Sequence, residues 1–149
     1  MRYIKYDYEN ESIWIEIDSD GYATRQVERD AKGCYRASCF EDCLAEGIID
    51  ENDFNDNTMV SIIDRSDFDN EWTMATKSML LKWQSIKRNY VIGMQILGYV
   101  TYFYPQGAIA KGEDFIAVYK GEKNLYIHEM HAFTVTGYDD INMWLIVDM

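Results

Sequence analysis

The sequence predicts an α+β fold: an N-terminal antiparallel meander, one long amphipathic helix over about 66–88, and a C-terminal small β-barrel-like sheet. Three observations predict it. β-rich runs separated by Gly-ended turns occupy the first 38 residues; one apolar stripe at helical spacing runs from Phe68 to Ile86; and from Tyr90 onward short strand-like runs recur between turn signals.

The meander begins with Tyr3 to Tyr8 and Ser12 to Ile17. Asp18-Ser19-Asp20-Gly21 is a turn in which Gly21 takes a positive φ, Tyr22 to Glu28 follows, and Asp30-Ala31-Lys32-Gly33 turns again before Cys34 to Ser38. The two turn glycines stand twelve residues apart, the rhythm of an antiparallel sheet. A short helix is expected from Ser38 or Cys39 to about Glu46, ended by Gly47, and an acidic, Asn-rich loop over Asp50 to Asn57.

For the long helix, Ser66 is the expected N-cap and Asp69 the capping-box acid. Asp67, Asp69 and Glu71 lie at the positive end of the helix dipole, and Lys82, Lys87 and Arg88 at the negative end. Phe68, Trp72, Ala75, Met79, Trp83 and Ile86 recur every three or four residues, a stripe read as core. Beyond it, strands are expected at 91–104, 107–111, 114–119, 124–130, 132–137 and 142–147, punctuated by Pro105-Gln106-Gly107, Lys111-Gly112-Glu113 and Lys120-Gly121-Glu122. No charge occurs between Arg88 and Lys111, a length that can span a bilayer, but Ile92, Met94, Ile96, Val100 and Tyr102 alternate with period two, which is a strand signature. Residues 1–89 form an α+β region and 90–149 an all-β region, expected to pack as one compact unit with the helix between them.

Charge bounds the function more than any motif does. The 149 residues hold 26 acids and 14 bases, a net of −12. Residues 1–57 hold 15 acids and 6 bases, 58–92 hold 4 and 5, and 93–149 hold 7 and 3, so the acidity lies early in the chain. Such a field repels nucleic acid and anionic lipid and attracts a basic protein or a cation; its plainer role is to keep a protein soluble. Met1-Arg2-Tyr3-Ile4-Lys5-Tyr6-Asp7 lacks the apolar core of a signal peptide, and three clustered cysteines fit reduced thiols better than a disulfide framework, so a cytoplasmic location is expected.

Candidate chemistry is sparse. Cys34, Cys39 and Cys43 give C-x4-C-x3-C, without the C-x2-C knuckle or fourth ligand of a zinc site, and read as packing residues. His128-Glu129-Met130-His131 is one residue short of the H-E-x-x-H spacing that places two histidines on one helical face. The stretch from Asp53 to Asp64 has oxygen-bearing side chains at four calcium-loop positions, but Thr58 stands where Gly is needed and Asp64 where a bidentate Glu is usual. No phosphate-binding Gly loop and no G-x-S-x-G elbow occurs. No catalytic residues, metal or cofactor are therefore expected.

Two stretches resemble known families. Tyr3-Ile4-Lys5, Glu16-Ile17-Asp18-Ser19-Asp20-Gly21, Arg25-Gln26-Val27-Glu28, Leu44-Ala45-Glu46, and Phe68 with Trp72 resemble, over residues 3–75, a widespread bacterial domain of unknown function. Small acidic proteins of that kind are similar to immunity partners of bacterial toxins. Residues 92–147, through Ile96-Leu97-Gly98-Tyr99-Val100, Phe103 to Ile109 and Val135-Thr136-Gly137-Tyr138-Asp139, resemble an S1-type OB barrel, although the long loop before the fourth strand is nearly absent. That second resemblance implies base stacking by Phe103, Phe115, Tyr119 and His128. Only Lys111, Lys120 and Lys123 are basic after residue 92, so these aromatics are expected to be core or to contact protein. The leading expectation is an immunity-type or adaptor protein, not an enzyme. Asp18, Asp20, Glu41, Asp42, Glu46, Asp50, Glu51, Asp53 and Asp56 would cover a basic site on a protein partner. The alternative is an S1/OB-like nucleic-acid-associated module; a metal-dependent enzyme ranks third.

Overall fold

The first β-rich runs pair in sequence order, because each short turn returns the chain antiparallel beside the strand it has just left. In the computed structural model, which describes residues 1–50 and 59–149, the chain is α+β and divides into two units, Met1–Ser78 and Met79–Met149. The candidate calcium loop lies partly outside the described residues.

In the first unit, β1 (Arg2–Tyr8), β2 (Glu11–Ile17), β3 (Ala23–Arg29), β4 (Tyr35–Ala37) and β5 (Val60–Ile62) form one antiparallel sheet in the order β4-β3-β2-β1-β5. The register sets Trp14 opposite Val27 and Val27 opposite Ala37. These three side chains line up across the sheet and join Tyr3, Cys39, Phe68 and Trp72 in one core cluster. Phe68 and Trp72 come from α1 (Arg65–Thr76). Burying each contributes about 1.5–3 kcal/mol, which is what fastens the helix to the sheet.

Two local expectations fail here. Helix α1 starts after Asp64, whose side chain makes no capping hydrogen bond, so Ser66 is not the N-cap. Asp69 is drawn away from any capping box, since its carboxylate accepts bonds from Arg25 (3.1 Å) and Arg65 (3.3 Å). Nor does a helix form over 38–46, where the backbone runs through turns and bends. Side chains hold that segment instead: Ser38 Oγ accepts the Gln26 N–H at 3.0 Å, the Ala45 N–H donates to Gln26 Oε1 at 2.9 Å, and Cys39 is buried in the core. Such local side-chain bonds compete with a helical ladder. Cys39 packs inward as expected, whereas Cys43 is half-buried and Cys34 exposed.

The helical stretch continues past Thr76 through a 3₁₀ turn (Lys77–Met79) into α2 (Leu80–Asn89). Thr76 Oγ1 donates back to the Trp72 carbonyl at 2.8 Å, a bond that bends helices. The stripe therefore runs Phe68, Trp72, Thr76 before the tightened turn and Trp83, Ile86 after it.

In the second unit, β6 (Gln95–Tyr104), β7 (Gly107–Lys111), β8 (Ile116–Tyr119), β9 (Met130–Asp139) and β10 (Trp144–Asp148) close into a barrel in the order β10-β8-β7-β6-β9. Only the β8–β10 pair is parallel. Closure leaves each of the five strands paired on both sides. Strict alternation in β6 sends Ile96, Val100, Tyr102 and Tyr104 inward, where Ile109, Phe133, Val135, Trp144 and Leu145 are also buried.

The barrel corrects two strand assignments. Residues 91–94 form a turn, with Gly93 at φ 94° and the Met94 N–H bonded to the Val91 carbonyl, so Ile92 and Met94 stay exposed. Of the run 124–130 only Met130 is strand, as the first residue of β9. Leu125 is buried, but Tyr126, Ile127 and His128 are exposed, and His128 sits at φ 74°, which no strand accommodates. Helix α2 is tied to the barrel by Asp140, which accepts bonds from Trp83 Nε1 (2.9 Å) and Lys87 (2.7 Å), and by the Tyr138 hydroxyl, which donates to the carbonyl of Tyr90 (2.8 Å). Among the described residues no helix is long and apolar enough to cross a membrane.

Candidate functional site

Turn chemistry positions the acids of the first unit. The Asp18 carboxylate accepts the N–H groups of Asp20 and Tyr22, both at 2.9 Å, which locks the β2–β3 turn and leaves Asp20 exposed at its tip. A bridge between Tyr22 and Ile48, with the Ile49 N–H on the Gly21 carbonyl at 2.8 Å, brings the segment that carries Glu46 and Asp50 against that turn. Gly21 is required there, because a Cβ would lie 2.9 Å from Ile48 Cγ2 and its φ is +91°. Asp18, Asp20, Glu46 and Asp50 are thus brought to one end of the sheet.

Glu41 and Asp42 stand elsewhere. Glu41 pairs with Arg36 at 2.6 Å, and Arg36 also reaches Glu28 at 3.2 Å, so that acid is partly neutralised. Glu51, Asp53 and Asp56 lie outside the described residues. The first unit carries 19 acids and 8 bases, a net of −11, and the second 7 and 6, a net of −1.

Of the four aromatics read as base-stacking candidates, the barrel withdraws two. Phe115 is 6% exposed and packs edge-on against Tyr90; Tyr119 is 4% exposed, packs against Phe133, and its hydroxyl accepts the Lys123 N–H. Phe103 is 52% exposed, on the outward face of β6. His128 is exposed with its Nδ1 2.7 Å from the Tyr99 hydroxyl. His131, half-buried on β9, lies 2.8 Å from Glu129. The two histidines thus bind different neighbours, and among the described residues no group of three His, Cys, Asp or Glu is placed to hold a metal ion. Burial pushes the Cys43 thiol up to about 12, with Glu28 adding to the shift, which leaves it a poor nucleophile at neutral pH.

Sequence reasoning missed two surfaces of the barrel. Leu97, Tyr99 and Phe103 share the outward face of β6, with Met130 opposite Tyr99 on β9. The signal was in the sequence: both alternating sets of 95–104 carry large apolar side chains, Leu97, Tyr99 and Phe103 in one and Ile96, Val100, Tyr102 and Tyr104 in the other, unusual for an antiparallel strand with one wet face. The second surface is a groove of about 440 Å³ between the β6–β7 turn and the β8–β9 connection, lined by Phe103, Pro105, Gln106, Lys120, Lys123 and Asn124 among others. No carboxylate lines it. No family model, no curated protein and no solved structure matches this chain.

Proposed function

We propose that this chain is a bacterial cytoplasmic binding protein that acts through its acidic N-terminal unit on a basic protein partner, as an immunity protein covering a toxin site or as an adaptor. The observation that carries this reading is the charge: a net of −11 on one unit, with Asp18, Asp20, Glu46 and Asp50 brought together by the Tyr22–Ile48 bridge. A field of that size speeds encounter with a basic surface and disfavours acidic competitors. Asp20 and Glu46 are exposed, so a partner can reach them without unfolding the sheet.

The test is association kinetics with the product of the neighbouring gene across a salt series. The on-rate is expected to fall steeply between low and physiological salt. The pair Asp20→Lys and Glu46→Lys should lower it about tenfold and flatten its salt dependence. Tight binding with a salt-independent on-rate would overturn the reading.

A further inference from the structure

The charge of the second unit bears on its groove. The repulsion that a net of −12 implies belongs almost wholly to the first unit, since residues 79–149 sum to −1. Within the second unit three of the six bases lie on α2, and of the three lysines after residue 92 two, Lys120 and Lys123, line the same groove. Neither ammonium forms an ion pair with a carboxylate of the described residues, whereas Lys5 and Lys87 do. Glu122 stands between them in sequence but is not part of the lining.

The rest of the lining adds shape. Phe103 brings an exposed aromatic ring, and Gln106 and Asn124 bring amides that both donate and accept hydrogen bonds. Main chain forms one wall: Gly107 sits so close to β8 that a Cβ there would lie 2.4 Å from the Tyr119 carbonyl oxygen, at a φ of +143°. Paired strands thus fix the Phe103 and Gly107 side of the groove, while Lys120, Lys123 and Asn124 come from the β8–β9 connection.

We propose that this groove binds one nucleotide-sized ligand, a flat ring joined to a phosphate, in which the ring stacks on Phe103 and the two ammoniums of Lys120 and Lys123 hold the phosphate. The stoichiometry matches, because one phosphate monoester carries a charge of about −1.5 to −2 near neutral pH, which two lysines neutralise. The volume of about 440 Å³ lies within the usual range of small-ligand sites, roughly 300–1,000 Å³. A single strand of nucleic acid fits less well. Each further phosphate needs its own cation, and among the described residues the groove supplies only these two.

The test is titration calorimetry of the full chain with adenosine monophosphate, run beside adenosine, ribose 5-phosphate and an oligothymidylate of about twelve nucleotides. Adenosine monophosphate should bind, with adenosine and ribose 5-phosphate each about tenfold weaker or more, because each lacks one of the two contacts. Lys120→Ala, Lys123→Ala and Phe103→Ala should each weaken binding about tenfold, while Lys111→Ala, a barrel lysine outside the groove, should leave it unchanged. Circular dichroism of each variant checks that the barrel is intact. No heat at about 5 mM nucleotide, or equal loss with Lys111→Ala, would overturn the proposal. Tighter binding of the oligonucleotide than of the mononucleotide would replace it with a polymer site.

Discussion

Arg25 is a buried cation on a β-strand, and its surroundings explain why it is tolerated. Its guanidinium donates to both carboxylate oxygens of Glu16, at 2.9 and 2.6 Å, and to Asp69 at 3.1 Å. It also lies over the rings of Phe68 and Trp72, 4.8 and 5.0 Å from their centroids. Removing it strands Glu16, 6% exposed, without a counter-charge. Arg25→Ala is expected to cost about 3–5 kcal/mol in urea unfolding. Burial alone would raise the Glu16 carboxyl, but the bonds and charge of Arg25, with a bond from Thr24, outweigh it and hold the group below its ordinary 4.5. A carboxyl lowered on folding stabilises the protein above its ordinary pKa, and that contribution is lost as pH falls through the lowered value. The urea midpoint should therefore fall as pH drops below about 4.5, and the fall should be shallower in Glu16→Gln. An equally steep acid limb in that variant would assign the effect to other carboxylates.

At the scale of elements, α2 is held by its end as much as by its face. Tyr138 donates its hydroxyl to the carbonyls of Tyr90 and Lys87, acceptors that a helix C-terminus leaves without a partner in the helix. Tyr138→Phe removes only that oxygen and should cost about 0.5–1.5 kcal/mol, seen as a lower thermal midpoint with unchanged far-ultraviolet dichroism. The helix itself was legible, because Phe68, Trp72, Trp83 and Ile86 recur at its period and are all buried. Its cap was not, because Asp69 answers to Arg25 on β3, a partner 44 residues away. The same limit misplaced the helix over 38–46 and the strand over 124–130. In both places local apolar content suggested regular structure, while Gln26 in one case and the left-handed backbone of His128 in the other decided otherwise. Pairing partners distant in sequence leave no periodic trace.

For the whole molecule, charge is the property that divides most unevenly, and it makes a prediction of its own. A unit with 19 acids and 8 bases repels itself, and salt screens that repulsion. The thermal midpoint should rise as sodium chloride increases from about 10 to about 150 mM, over which the Debye length shortens from about 30 to about 8 Å. A falling midpoint would show that ion pairs such as Arg25 with Glu16 outweigh the repulsion. The acidity was legible in composition and the Asp18-to-Gly21 turn in the sequence, but the approach of Glu46 and Asp50 to that turn was not, since the Tyr22–Ile48 bridge makes it. The groove was not, since it joins Phe103 to Lys120 and Lys123 only when β7 folds back between β6 and β8. That same topology orders events in time. The strand β10 pairs with β8 on one side and β9 on the other, so the last strand of the barrel is also its keystone. As the chain emerges during synthesis, β6, β7 and β8 can assemble as a meander, but its β8 edge keeps unpaired backbone groups until β10 arrives. A chain stalled before Trp144 would hold that edge, with the apolar residues destined for the barrel interior, open to neighbouring chains.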